Sequence, residues 1–156
     1  MSAERRIEEL HLILPPMPKK PGGIYKTVVI VNNLAYVSGH GPLLPDGTMI
    51  TGRVGETMDL EAGQKAARQV GLAILSALRT NLGSLDRVKR VIKSLGMVNC
   101  TPTFAQHPQV INGYSQLMAD VFGEDRGVGA RSAVGMGSLP GNIAVEIEVI
   151  VEIEPA

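Results

Sequence analysis

The end of the chain constrains the fold more than any other stretch. From Ile143 to Ile153 the residues alternate, with Ile143, Val145, Ile147, Val149, Val151 and Ile153 falling on one face. Glu146, Glu148, Glu152 and Glu154 fall on the other. Successive side chains of a strand point to opposite sides, so this is a half-buried strand whose apolar face must be covered by something. Two helices supply the cover. Asp59 caps the first, which runs to about Asn81 with Leu60, Ala66, Ala67, Val70, Ala73, Ile74, Ala77 and Leu78 at helical spacing and Gly83 as its stop. The stripe is mostly Ala, which lets the helix lie close on a sheet. The second runs from Pro108 to Phe122 with Val110, Ile111, Tyr114, Leu117, Met118 and Val121 on its apolar side.

Four further strand regions complete the sheet. YKTVVIV and LAYVSG flank Asn32-Asn33, a hairpin signal because Asn tolerates positive φ. Arg87 to Asn99 is rich in Val and Ile, and RSAVGMG precedes the Leu139-Pro140-Gly141-Asn142 turn. Residues 41–58, rich in Gly, Pro and Thr, read as a loop. The order β-β-α-β-α-β-β gives an α+β sandwich, two helices on one face of a largely antiparallel or mixed sheet. The other sheet face then needs a partner, and a second copy of the chain is the economical one. Ahead of this domain, assigned to residues 22–156, residues 1–21 form a short helix capped by Ser2 and a linker stiffened by Pro15, Pro16, Pro18 and Pro21.

Composition narrows the function. A chain of 156 residues holds one domain, and 44% hydrophobic residues suffice for its core. Net charge is zero and aromatics are 3%, which argues against nucleic-acid binding through basic patches or stacking platforms. One cysteine, Cys100, allows neither an internal disulfide nor a Cys/His metal cluster, so no metal is expected. MSAERRIEELHLILPP is too short and too charged for a signal peptide or membrane span, and the expected location is the cytoplasm. There is no G-x-S-x-G elbow, Walker A loop or H-E-x-x-H helix. His107, before Pro108, reads as a surface residue.

Arg131 is the most suggestive single residue. It follows a Gly-rich segment and opens a strand among Ala130, Ser132 and Ala133, where a guanidinium can grip a carboxylate through two parallel bonds. Position alone fits a surface or interface arginine better. Glu146 is one of four glutamates on its strand face, a solvated residue unless that face lines a cleft. There it would polarise a water as general base.

Taken together, these segments resemble the Rid family, the reactive intermediate deaminases also called YjgF-like proteins. The resemblance runs from about Gly22 to Ile153. It is most specific in RSAVGMGSLPGNIAVEIEVIVEI, and LAYVSGHGPL matches the family's Ser-Gly segment. It implies a chorismate-mutase-like fold, a homotrimer with clefts between subunits, and no cofactor. The activity it implies is hydrolysis of reactive enamines and imines, such as 2-aminoacrylate and its imine tautomer, to a 2-keto acid and ammonia.

Residue by residue, Arg131 falls on the substrate-carboxylate arginine and Glu146 on the acid associated with the hydrolytic water. Tyr25, Ser38 and Gly39 fall on pocket residues, and Tyr114 on an aromatic of the second helix. There are two departures. Ala133 stands where the family often has Cys, its backbone completing the carboxylate site. His40 stands where Gln is common, as a titratable group or a structural hydrogen-bonding residue. Two rival readings remain open: a binding protein for a small carboxylate metabolite without turnover, and a ribonuclease or translation inhibitor.

Overall fold

The computed structural model describes residues 1–156. It contains a five-stranded sheet and three helices of more than one turn. Helix α1 spans Ala3–Glu9, and Ser2 Oγ accepts the Arg5 backbone N–H at 3.2 Å. Strands β1 (Val28–Val31) and β2 (Leu34–His40) form the expected hairpin, in which Asn32 alone of the two turn asparagines takes a positive φ, 55°. Helix α2 spans Leu60–Leu82, capped by Asp59 Oδ1 on the Ala62 N–H and stopped by Gly83 at φ 83°. Strand β3 (Val88–Asn99) follows, then α3 (His107–Phe122). A single helical turn, α4 (Glu124–Gly127), occupies part of the Gly-rich connection that the sequence leaves unstructured. Strands β4 (Ala130–Met136) and β5 (Val145–Ile153) close the chain.

The strand order is β1-β2-β5-β3-β4. Only β3 and β4 pair in parallel; every other neighbour is antiparallel. Because β2 and β3 both run antiparallel to β5, they are parallel to each other, and α2 is the crossover between them. Helix α3 is the crossover from β3 to β4. Both crossovers step the same way along the sheet, so the right-handed rule puts both helices on one face. That single rule leaves the opposite face bare.

The covered face forms the core. On β5, Val145, Ile147, Val149, Val151 and Ile153 are all buried, at about 1.5–3 kcal/mol each. They meet Ala66, Ala67, Val70 and Ile74 of α2, and Val110, Ile111, Leu117 and Val121 of α3. The helices nearly touch: a methyl at Gly113 would lie 2.1 Å from the Gln64 carbonyl oxygen. The 41–58 loop is pinned down by isolated bridges to Ile143 and Cys100. Asn99 Nδ2 donates to the Gly52 carbonyl at 3.0 Å.

Candidate functional site

The sequence-derived candidates divide into two groups on opposite faces of the sheet. The first group gathers in one cleft, in which Glu146 takes the bare face. Glu146 sits opposite Met97 of β3, and the neighbouring Gly96 faces α3, where a methyl would collide with Ile111. Glu146 therefore points away from the helices. Beside it the β2–β5 register slips between Val37 and His40, a bulge that brings Gly39 against the carboxylate. A methyl at Gly39 would lie 2.3 Å from Glu146 Oε2, so glycine is what lets the acid settle there. Ser38 Oγ donates to the Lys26 carbonyl at 2.6 Å.

Tyr25, Ser38, Gly39, His40 and Glu146 line one cleft of about 820 Å³. Burial, with help from Glu148, holds the Glu146 carboxyl above the usual carboxylate range. Such a carboxylate is a better proton acceptor than an exposed one. His40 Nδ1 lies 2.6 Å from the Ser38 carbonyl oxygen, so Nδ1 carries the proton and donates it. Burial pushes the His40 imidazole down despite that bond, which keeps the ring neutral near neutral pH. The β2–β5 register pairs His40 with Ile147, a core residue, so the bulge turns this residue towards the helix side.

The second group sits at the sheet edge under α3. Arg131 stands opposite Ser94, which is buried with its hydroxyl 2.9 Å from Tyr114 Oη. Arg131 Nη1 donates to Asn112 Oδ1 at 2.8 Å and to Ser115 Oγ at 3.0 Å, and Nη2 reaches the Pro108 carbonyl at 3.4 Å. All three acceptors lie along one edge of α3. The Nε–H makes no hydrogen bond within the chain, so the guanidinium is held by one corner with another corner free to take an anion. Ala133 follows on the same face, half-buried, with its backbone at the sheet edge.

Beyond it, a methyl at Gly135 would lie 2.5 Å from His107 Nε2. His107 Nε2 in turn stands 3.4 Å from Cys100 Sγ. Burial pushes the Cys100 thiol up, so it stays protonated. Tyr114 is not in either group's open space: it is 2% exposed, and burial pushes its phenol up to about 12. It backs the Arg131 side of the sheet from within the core.

Asn112 and Ser115, which orient Arg131, are missing from the sequence-derived set. Their only sequence signal is an Asn-x-x-Ser spacing that puts two polar groups on one edge of an apolar helix. No group of three or more His, Cys, Asp or Glu side chains converges as a metal cage. No helix is long and apolar enough to cross a membrane.

The family model described as "YjgF/chorismate_mutase-like, putative endoribonuclease" matches residues 4–151. The chain belongs to this family. The match begins inside α1, so it includes most of the N-terminal segment. Among curated relatives, protein TCP17 of Trypanosoma cruzi is 40% identical over 138 residues, spanning 88% of this chain and 86% of the relative. Among solved structures, Atu1372 of Agrobacterium tumefaciens, a protein of unknown function, is 42% identical with a TM-score of 0.88, covering 98% of this chain and 94% of the other. A Shewanella oneidensis structure called "a putative endoribonuclease" is 25% identical with a TM-score of 0.92, covering 98% of this chain and all of the other. The α+β architecture read from the sequence is thus that of the YjgF/chorismate-mutase-like family.

Proposed function

We propose that this family member hydrolyses small 2-imino acids to 2-keto acids and ammonia, in clefts shared between copies of the chain. The observation that carries this reading is the division just described. Arg131, an anchored cation with a free N–H, and Glu146, a carboxylate with a raised affinity for protons, lie on opposite faces of one sheet. One chain cannot bring them to the same small molecule. A neighbouring copy whose β4 edge meets the Glu146 cleft can, and a cyclic trimer repeats that junction three times.

In the shared cleft Arg131 clamps the carboxylate, and the backbone near Ala133 and Gly39 completes its surroundings. Glu146 takes a proton from a water as the water oxygen bonds to the imine carbon. That proton passes to the imine nitrogen, giving a carbinolamine; Glu146 then takes the hydroxyl proton and returns it to the amine nitrogen as the C–N bond breaks, ammonia leaves and the carbonyl forms. Arg131 acts only as a cation, because it does not give up its proton in proteins. Imines of this kind hydrolyse in water unaided, so positioning and proton transfer worth roughly 10²–10⁴-fold are enough. No step uses a thiol at position 133, so Ala133 is compatible with the chemistry.

The test is a coupled assay in which a pyridoxal-phosphate dehydratase makes 2-aminoacrylate from serine and loss of the imine is followed. The wild-type protein accelerates that loss, and Arg131→Ala abolishes the acceleration without changing the oligomeric state. No acceleration by the wild type, with calorimetric binding of pyruvate retained, would replace hydrolysis by carboxylate binding.

A further inference from the structure

The N-terminal segment has no part in the proposed chemistry, yet the structure holds it at both ends. Helix α1 is fastened to the far end of the helical layer. Ala3 and Ile7 are buried, Glu4 pairs with Arg79, Glu4 Oε1 accepts the Leu85 N–H at 2.8 Å, and Ser2 Oγ donates to Asp86 at 2.9 Å. The chain then runs back along α2. Leu12 and Leu14 pack against the core, and the Ser76 hydroxyl, itself buried, donates to the Pro15 carbonyl. From that anchor the strap delivers Met17, Pro18 and Pro21 to the wall of the cleft that contains Glu146. Closely spaced prolines hold such a wall in place at little further entropy cost.

We propose that this strap is a specificity wall, fitting the Glu146 cleft to 2-imino acids with an extended, uncharged apolar side chain. The inference deepens the imine-hydrolase reading and rests on it. Leu43, Met49 and Ile143 line the same cleft as Met17 and Pro18. Gly41 makes room for two of these: a methyl there would lie 3.1 Å from Met49 Sδ and 3.0 Å from Ile143 Cδ1. Met49 is 42% exposed, a large apolar side chain with unfilled space in front of it.

Thioether walls adapt to branched or linear aliphatic groups alike. Charge excludes the acidic alternative: Lys20 is the one cation in the lining, against Glu146 and Glu148.

The test compares wild type, Met17→Ala and Pro18→Gly, all as full-length protein. Imino acids are generated from alanine, leucine and glutamate by an amino-acid oxidase. Wild type favours the leucine-derived imine over the alanine-derived one in kcat/KM by about tenfold or more, the worth of two to three buried carbons. The glutamate-derived imine is the poorest of the three. Met17→Ala raises KM for the leucine-derived imine several-fold with kcat kept, and leaves the alanine-derived imine unchanged. Pro18→Gly, which loosens the strap without removing a wall atom on Met17, shifts selectivity in the same sense.

Equal preference in wild type, or an equal change for both substrates in the variants, overturns the wall. Calorimetry with 4-methyl-2-oxopentanoate and pyruvate separates this failure from that of the chemistry. If no imine is turned over but the larger keto acid still binds more tightly, and Met17→Ala removes the difference, the hydrolase reading falls and the wall stands. Equal affinities for the two keto acids overturn the wall whatever the turnover.

Discussion

Beneath α2 and α3, the strands present Val145, Ile147, Val149, Val151 and Ile153 to a layer of alanines and aliphatics that leaves almost none of their surface in contact with water. On the other face the same strands present Val29, Tyr36, Leu95 and Ile150 around Ser38, Lys93, Ser132 and Glu148, along an open trough. Val29 is 44% exposed and Tyr36 43%. The first face is finished by the chain itself. The second mixes aromatic, aliphatic and charged groups as association surfaces do, and the Glu146 cleft opens beside it. One face therefore carries stability, while the other stays open and bears the Glu146 cleft.

The sharpest way to separate the faces is to disturb each in turn. Gly113→Ala pushes a methyl against the Gln64 carbonyl and forces α2 and α3 apart, at an expected cost of about 2–3 kcal/mol in denaturant unfolding. A cost near zero would mean that the helical layer is looser than its contacts imply. Ile150→Glu, between Tyr36 and Lys93 on the bare face, puts a third carboxylate in line with Glu148 and Glu152. The expected outcome is dissociation in sedimentation velocity, with stability of the isolated chain altered by less than about 1 kcal/mol. Unfolding in step with dissociation would show that the second face is also needed for the fold.

Glu146→Gln is the smallest perturbation, and its sign follows from the raised carboxyl. A folded-state value above the unfolded one stabilises the protein below the unfolded value. That contribution is lost as pH rises through the folded value. At neutral pH the ionised Glu146 is therefore a burden that Gln removes. The variant's melting temperature should match wild type in acid and exceed it slightly at neutral pH, while its imine hydrolysis is lost. A lower melting temperature at neutral pH would mean that the carboxylate has a stabilising partner in the assembly.

Most of the fold was legible because periodicity reports burial. The alternation along β5, the helical stripes of α2 and α3 and the Asn32 turn each map onto an element within a residue or two. What periodicity did not reveal was the use of each face. Ile150 interrupts the glutamate side of β5, and only the sheet order shows it flanked by Tyr36 and Lys93. Likewise Arg131 and Glu146 are 15 positions apart with nothing in their spacing to say that they face opposite ways. That depends on β4 pairing with β3 at the edge while β5 enters the middle, a tertiary choice. Asn112 and Ser115 were hidden for the same reason, since their role exists only once α3 lies across β4.

The central claim is that each site takes Arg131 from one copy and Glu146 from another, and complementation tests it directly. Arg131→Ala and Glu146→Gln chains, each inactive alone, are refolded together at equal amounts and assayed for imine loss. Shared clefts predict recovery of about a quarter of the wild-type activity, the fraction of junctions where an intact Arg131 meets an intact Glu146 in a random cyclic assembly. Mixed assemblies that form and remain inactive would contradict it, because they would put both residues in a site made by one chain.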